Sequence, residues 1–187
     1  MKFRILNILL LTGLLLSASS CFDDDKSDNT DYSEWKNLNE KYIAEAEVET
    51  NQDGTLVYTK LIPSFAPGTF YLIKWNNDRA LTASALSPMD NSTIDIKYEV
   101  TDIDNNVIDN SYSIHTYGDG IYRTKPTDMI IGVHSALTNM HIGDDVDLII
   151  PSSAAYGNYS NGSIKPFSTL KFNVKLIAIP GYEINKK

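Results

Sequence analysis

Apolar and polar residues alternate most regularly near the middle of the chain, where Ile94, Ile96, Tyr98 and Val100 are interleaved with Asp95, Lys97 and Glu99. A period of two predicts a strand with one buried face, because successive side chains leave a strand on opposite sides. The same alternation in Leu170, Phe172, Val174 and Leu176 predicts a final strand. Ahead of it the period changes: Val133, Ala136, Leu137 and Met140 fall at i, i+3, i+4 and i+7. That spacing predicts a short helix over Gly132–Met140, with Gly143 placed to end it and a strand over Val146–Ile150 after it. Asp104-Asn105-Asn106 separates the 94–100 strand from Val107 and Ile108, and predicts a tight turn in which asparagine takes a positive φ. Near the start, Asp31 is a candidate cap with Glu34 three residues on, and Trp35, Leu38, Tyr42 and Ala46 return at helical spacing up to about Glu49. Asn51-Gln52-Asp53-Gly54 is a turn signal. Thr55–Ile62 and Thr69–Trp75 then read as strands on either side of Pro63–Gly68. The pattern predicts an α+β fold, an antiparallel sheet packed on a short helix and preceded by a helix and strand extension over 31–84.

Residues 1–20 read as addressing. Lys2 and Arg4 precede an apolar run from Ile5 to Leu16, which ends in Ser17, Ala18, Ser19 and Ser20. The run is short of the roughly 20 apolar residues that a membrane-spanning helix needs. Ala18-Ser19-Ser20-Cys21 resembles a lipoprotein signal, in which the cysteine receives lipid, palmitate included, and becomes the mature N-terminus; Ala18 stands where such signals more often carry Leu. An ordinary signal with an unrelated cysteine is the alternative. Phe22 and then Asp23, Asp24 and Asp25 follow, so 21–30 reads as an acidic flexible tether. That arrangement is similar to outer-membrane lipoproteins, which implies a protein held at the membrane by lipid on Cys21 and facing the periplasm or the cell surface.

Charge narrows the partners. The 187 residues carry 16 Lys+Arg against 24 Asp+Glu, a net charge of -8, and cleavage after residue 20 would remove two cations and no acid, leaving -10. Phosphate binding needs a clustered basic excess, so nucleic acid is not an expected partner. A single cysteine excludes a disulfide within the chain. His115, His134 and His141 form no HExxH, and read as solvated side chains, with His141 suited to a helix end. Asp102, Asp104 and Asn106 are spaced as in a calcium loop, but Val107 replaces the required Gly and Ser113 the bidentate Glu. No GxSxG elbow is present. No metal or cofactor is expected. Trp35 and Trp75 read as packing aromatics before a ligand platform.

Several ordered blocks carry a family resemblance: Gly132-Val133-His134-Ser135-Ala136-Leu137, Met140-His141-Ile142-Gly143, Ile150-Pro151-Ser152-Ser153-Ala154-Ala155-Tyr156-Gly157, and Ser168-Thr169-Leu170-Lys171-Phe172-Asn173-Val174. With Tyr98 and Asp109 they resemble FKBP-type peptidyl-prolyl isomerases over about residues 92–179, which places an FKBP-like domain at 85–187. The resemblance implies a sheet wrapped around a short helix and an apolar cleft for proline-containing polypeptides. It implies catalytic roles for Tyr98, Asp109 and Tyr156, with Tyr156 donating to the substrate, and cleft walls from Met129, Ile130, Ile164 and Phe172. Ile108 stands where the family usually has a pocket Phe, and Val133 where it usually has the Trp of the pocket floor. Both exchanges remove aromatic surface and imply a looser hold on proline and on macrolide inhibitors.

Three functions remain open on this reading. One is an isomerase that assists folding of exported proteins; another is a weakly catalytic or non-catalytic peptide-binding module. A third is a scaffold whose function lies in the N-terminal region, which clustering of Trp35, Phe65, Tyr71 and Trp75 on one exposed face would favour.

Overall fold

A computed structural model of the chain describes residues 31–113 and 119–181. The expectations for the signal, Cys21 and the tether, and for His115, lie outside the described residues. Three antiparallel strands form the centre of the sheet: β3 (Ile94–Thr101), β7 (Leu170–Ala178) and β6 (Asp145–Ile150). The residues that alternate in sequence are the ones that face inward, and α2 (Ile131–Asn139) lies against them. Val133, Ala136, Leu137 and Met140 are all fully buried there, as the helical spacing predicts. Gly143 follows with φ +96° and donates its N–H to the Leu176 carbonyl at 2.8 Å. An L side chain is strained at that φ, so glycine lets the chain turn into β6; it does not end the helix as expected, because α2 stops at Asn139 with the extended Met140 as its C-cap.

On one side, β6 continues to β2 (Tyr71–Trp75) and then β1 (Thr59–Leu61). On the other, β3 is flanked by two short strands on one edge: β4 (Val107–Asn110) beside Glu99–Thr101, and β5 (Tyr122–Thr124) beside Ile94–Ile96. Between them sits a 3-10 turn, Ser111–Ser113, where no ladder partner faces Tyr98. The buried Ser111 hydroxyl fills the gap, accepting the Tyr98 N–H at 3.0 Å. All six strand pairs are antiparallel, and the fold is the predicted α+β type.

The N-terminal helix α1 (Ser33–Glu47) covers the outer face of the sheet, where Ala46, Tyr42 and Ile43 pack on Leu72 and Ile149. Those two partners are opposite each other in the β2–β6 ladder, so the first three residues of β2, Tyr71, Leu72 and Ile73, are buried on both faces and apolar in succession. Two details of α1 differ from the sequence expectation. Leu38 is 48% exposed, and the buried position beside it belongs to Asn39. Its amide donates to the Trp35 carbonyl at 2.7 Å and accepts the Thr169 N–H at 2.6 Å, so a polar residue ties the helix to the start of β7. Asp31 accepts the Ser33 N–H at 2.9 Å from one position before the N-cap, Tyr32, rather than as the cap itself.

The strand expected over Thr55–Ile62 shrinks to Thr59–Leu61, because the turn at 51–54 and Pro63 leave little room for a ladder. The 102–106 turn is as expected: Asn105 has φ +66°, and the Asp102 carboxylate accepts the N–H groups of Asp104 and Asn106. Those oxygens organise the turn, in line with the hairpin reading. His134 and His141 are not simply solvated. His134 stacks on Phe65 with ring centroids 4.5 Å apart and meets Asp90 at 2.8 Å, while His141 lies 3.1 Å from the Arg79 guanidinium. Tyr71 is fully buried, Trp75 lies under Arg79 and Trp35 donates to the Ser168 hydroxyl. The four N-terminal aromatics therefore do not share an exposed face.

Candidate active site: an aromatic cleft at the edge of the sheet

One end of the inner sheet face is left uncovered by α2, and a cleft of about 520 Å³ opens there. Alternation puts Tyr98 and Val100 of β3 and Leu170 and Phe172 of β7 on its floor and side, with Val100 and Phe172 direct neighbours in the ladder. The opposite wall comes from the turn ahead of α2, Asp128 to Ile130, and from a loop carrying Tyr156 and Asn161 to Ile164. That loop is held by reciprocal backbone bonds between Asn161 and Ile164 (3.0 and 2.9 Å) and by the Phe167 N–H on the Gly157 carbonyl at 2.8 Å.

Strand β4 contributes two consecutive residues, Ile108 and Asp109, which a regular strand would send to opposite faces. The ladder explains how both reach the cleft. Asp109 pairs with Val100 and Val107 with Thr101, so Ile108 is an extra residue in a β-bulge. A bulge of this kind re-aims a side chain beside a functional cavity.

The Tyr98 hydroxyl donates to Asp109 Oδ2 at 2.6 Å, and Asp109 Oδ1 accepts the Asn110 N–H at 2.8 Å. The Tyr98 ring packs edge-on against Tyr122 with centroids 5.5 Å apart and leans on Phe172. Burial pushes the Tyr98 phenol well above its ordinary pKa, and its hydrogen bond to the Asp109 carboxylate and that negative charge push it further. The phenol is therefore a fixed, neutral donor at ordinary pH. No described residue hydrogen-bonds the Tyr156 hydroxyl, which leaves it available to a ligand in the cleft.

The cleft thus brings together Tyr98, Ile108, Asp109, Met129, Ile130, Tyr156, Ile164 and Phe172 from the sequence expectation. Val133 is the exception. It is fully buried in the core rather than on the cleft surface, because a valine side chain extends no further than the sheet–helix interface. Leu170 and Val100 line the cleft beside it. Sequence reading missed these two, although each lies two residues from a named position on the same strand face. It also missed Asp128, Tyr122, Asn161, Gly162 and Ser163. Tyr122 belongs to a three-residue strand too short to show a period.

A half-wrapped sheet with one helix in its palm, and an aromatic cleft crossed by a tyrosine–aspartate hydrogen bond, defines a class of protein that grips an apolar group by contact. Residues 85–177 match the FKBP-type peptidyl-prolyl cis-trans isomerase family, and this part of the chain belongs to it. Among curated relatives, the FKBP-type isomerase FkpA of Escherichia coli K12 is 29% identical over 163 residues, covering 87% of this chain and 51% of the relative. FkpA of the O157:H7 strain matches to the same extent. The chain spans about half the length of the curated relatives it matches. A peptidyl-prolyl isomerase crystal structure from Pseudomonas syringae pv. tomato superposes with a TM-score of 0.61 at 24% identity, covering 80% of this chain and 96% of that one. The crystal structure of Escherichia coli FkpA gives 0.53 at 27% identity, covering 78% and 57%.

Proposed function

We propose that this chain is a peptidyl-prolyl cis-trans isomerase acting on exported proteins, and that the cleft accelerates rotation about X-Pro bonds. Rotation breaks no covalent bond; it has to overcome amide resonance, a barrier of about 18–20 kcal/mol. At the top of that barrier the twisted amide is less polar than the planar one, so a cleft that replaces water with aromatic and aliphatic walls favours the transition state over the solvated ground state. Phe172, Ile130, Met129, Ile164 and Tyr122 supply those walls. Tyr156 donates to the substrate carbonyl and fixes the peptide while the proline ring turns. The Tyr98–Asp109 bond holds the β4 wall in register and presents a carboxylate near the mouth. The observation that carries the reading is the Tyr156 hydroxyl, without a partner among the described residues, in a cleft that is otherwise walled largely by aromatic and aliphatic side chains and pinned by the Tyr98–Asp109 bond.

A second reading, a peptide-binding module of low turnover, is favoured by Ile108 in place of an aromatic wall and by Val133 lying away from the cleft. Relaxation of X-Pro peptides, followed by NMR exchange with the residue before proline varied, separates the two. Acceleration that falls in Tyr156→Phe and Asp109→Ala supports the isomerase; peptide binding without acceleration supports the module.

The membrane location is part of the same proposal. The signal-like segment and Cys21 support a lipid anchor and an outer-membrane position facing the periplasm or the surface. Cys21→Ser should release the protein from the membrane fraction; retention would overturn the anchor.

A further inference from the structure

Ile108, Ser163 and Ile164 line the cleft and also a separate, narrow notch of about 30 Å³ beside it, whose other lining residues include Trp35, Asp102 and Lys165. Trp35 comes from α1, outside the family-matched segment. It is fixed there by its indole N–H on the Ser168 hydroxyl at 3.0 Å, and its ring carries the Lys165 ammonium 4.4 Å from the centroid. Lys165 is exposed, and no described carboxylate pairs with it. The nearest acid in the notch, Asp102, has both oxygens turned onto the 104–106 turn, where they accept N–H donors from Asp104 and Asn106.

We infer that Trp35 and Lys165 form a second subsite of the cleft, which takes an acidic side chain of the polypeptide a few residues away from the proline. This rests on the isomerase reading of the main cleft. A substrate strand leaving that cleft past Ile108 runs onto an aromatic face bearing a cation that no described carboxylate pairs, and a carboxylate there meets an ammonium already positioned by its cation–π contact. In a chain of net charge -8, such a patch attracts acidic segments that the rest of the surface repels. The N-terminal extension thereby becomes part of substrate selection.

The test uses proline peptides of one length, flanked by alanines, in which a single Glu or a single Lys is moved along each side of the proline. On one side of the proline, Glu should lower KM by roughly threefold, the size of one exposed ion pair, with kcat unchanged. Lys165→Glu should abolish or invert that preference, and Trp35→Phe should keep most of it. Lys41→Glu, an equal charge change on α1 away from the notch, should leave it intact. Absence of any Glu preference, a preference for Lys, or a preference that survives Lys165→Glu would each overturn the subsite. If no peptide is isomerised at all, the isomerase reading fails, and the same peptides are titrated by NMR. Tighter binding of the Glu peptides, lost in Lys165→Glu, then sustains the subsite, and equal binding or none overturns it.

Discussion

Two tyrosines in the cleft do different work because their hydroxyls are placed differently. Tyr156 Oη has no partner among the described residues, whereas Tyr98 Oη is committed to Asp109. Tyr156→Phe should therefore reduce kcat/KM for X-Pro relaxation by about 3- to 10-fold, the value of one hydrogen bond, without lowering stability. Tyr98→Phe should cost about 1 kcal/mol of stability in urea unfolding, since the exposed Asp109 carboxylate can recover water. Burial likewise raises the Tyr58 phenol to about 12, with the nearby Asp147 charge adding to it. A phenol held neutral in the fold contributes stability that is complete below its unfolded value near 10 and is lost as pH rises through the folded value. Stability should thus fall between about pH 10 and 12, more steeply than in Tyr58→Phe. Paired measurements of unfolding and tyrosinate absorbance check this.

Elements differ in how plainly the chain announces them. Strands β3 and β7 were legible because one face is wholly apolar, and α2 because four buried residues share one stripe. Short strands at the sheet's margins were not: β1 and β5 have three residues each, and their existence depends on the neighbour they pair with. The cleft was legible wherever a side chain's face followed from alternation. Alternation alone would not have put Ile108 and Asp109 together, since a bulge does that, and both were named only through the family resemblance; the cleft was misread where a valine replaced a side chain long enough to reach the surface. The inner face of α1 was misjudged by one residue because a buried asparagine answers backbone groups, which hydrophobicity does not register. Asn39→Ala should leave the buried Thr169 N–H without a partner and cost about 1–3 kcal/mol, seen as a lower urea midpoint. Packing of α2 gives a companion prediction. A Cβ on Gly132 would lie 2.7 Å from Ile150 Cγ2, in a fully buried side chain with nowhere to move. Gly132→Ala should destabilise by about 1–3 kcal/mol through overpacking, despite alanine's higher helix propensity.

At the scale of the molecule, a polar knot fastens the segment between β2 and β3 to the start of β6. The fully buried Asp144 accepts bonds from Thr82, Asn77 and the His141 N–H, and Arg79 lies 3.6 Å away. Burial alone would raise its pKa; these donors and the guanidinium outweigh it and hold the carboxyl below the usual range. A lowered carboxylate contributes stability above its unfolded value, near 4, that disappears as pH falls through the folded one. Acid unfolding should be shifted toward neutrality in Asp144→Asn, with about 2 kcal/mol lost at pH 7, as followed by circular dichroism.

Both margins of the sheet have a consequence for a protein that would handle unfinished chains. One border is the three-residue β1, and the other is split into two short pieces with a serine hydroxyl spliced between them. Among the described residues, neither presents a long, continuous row of unpaired amides and carbonyls of the kind that recruits foreign strands. On the isomerase reading, a sticky client held in the cleft would meet no ladder on these borders along which to grow.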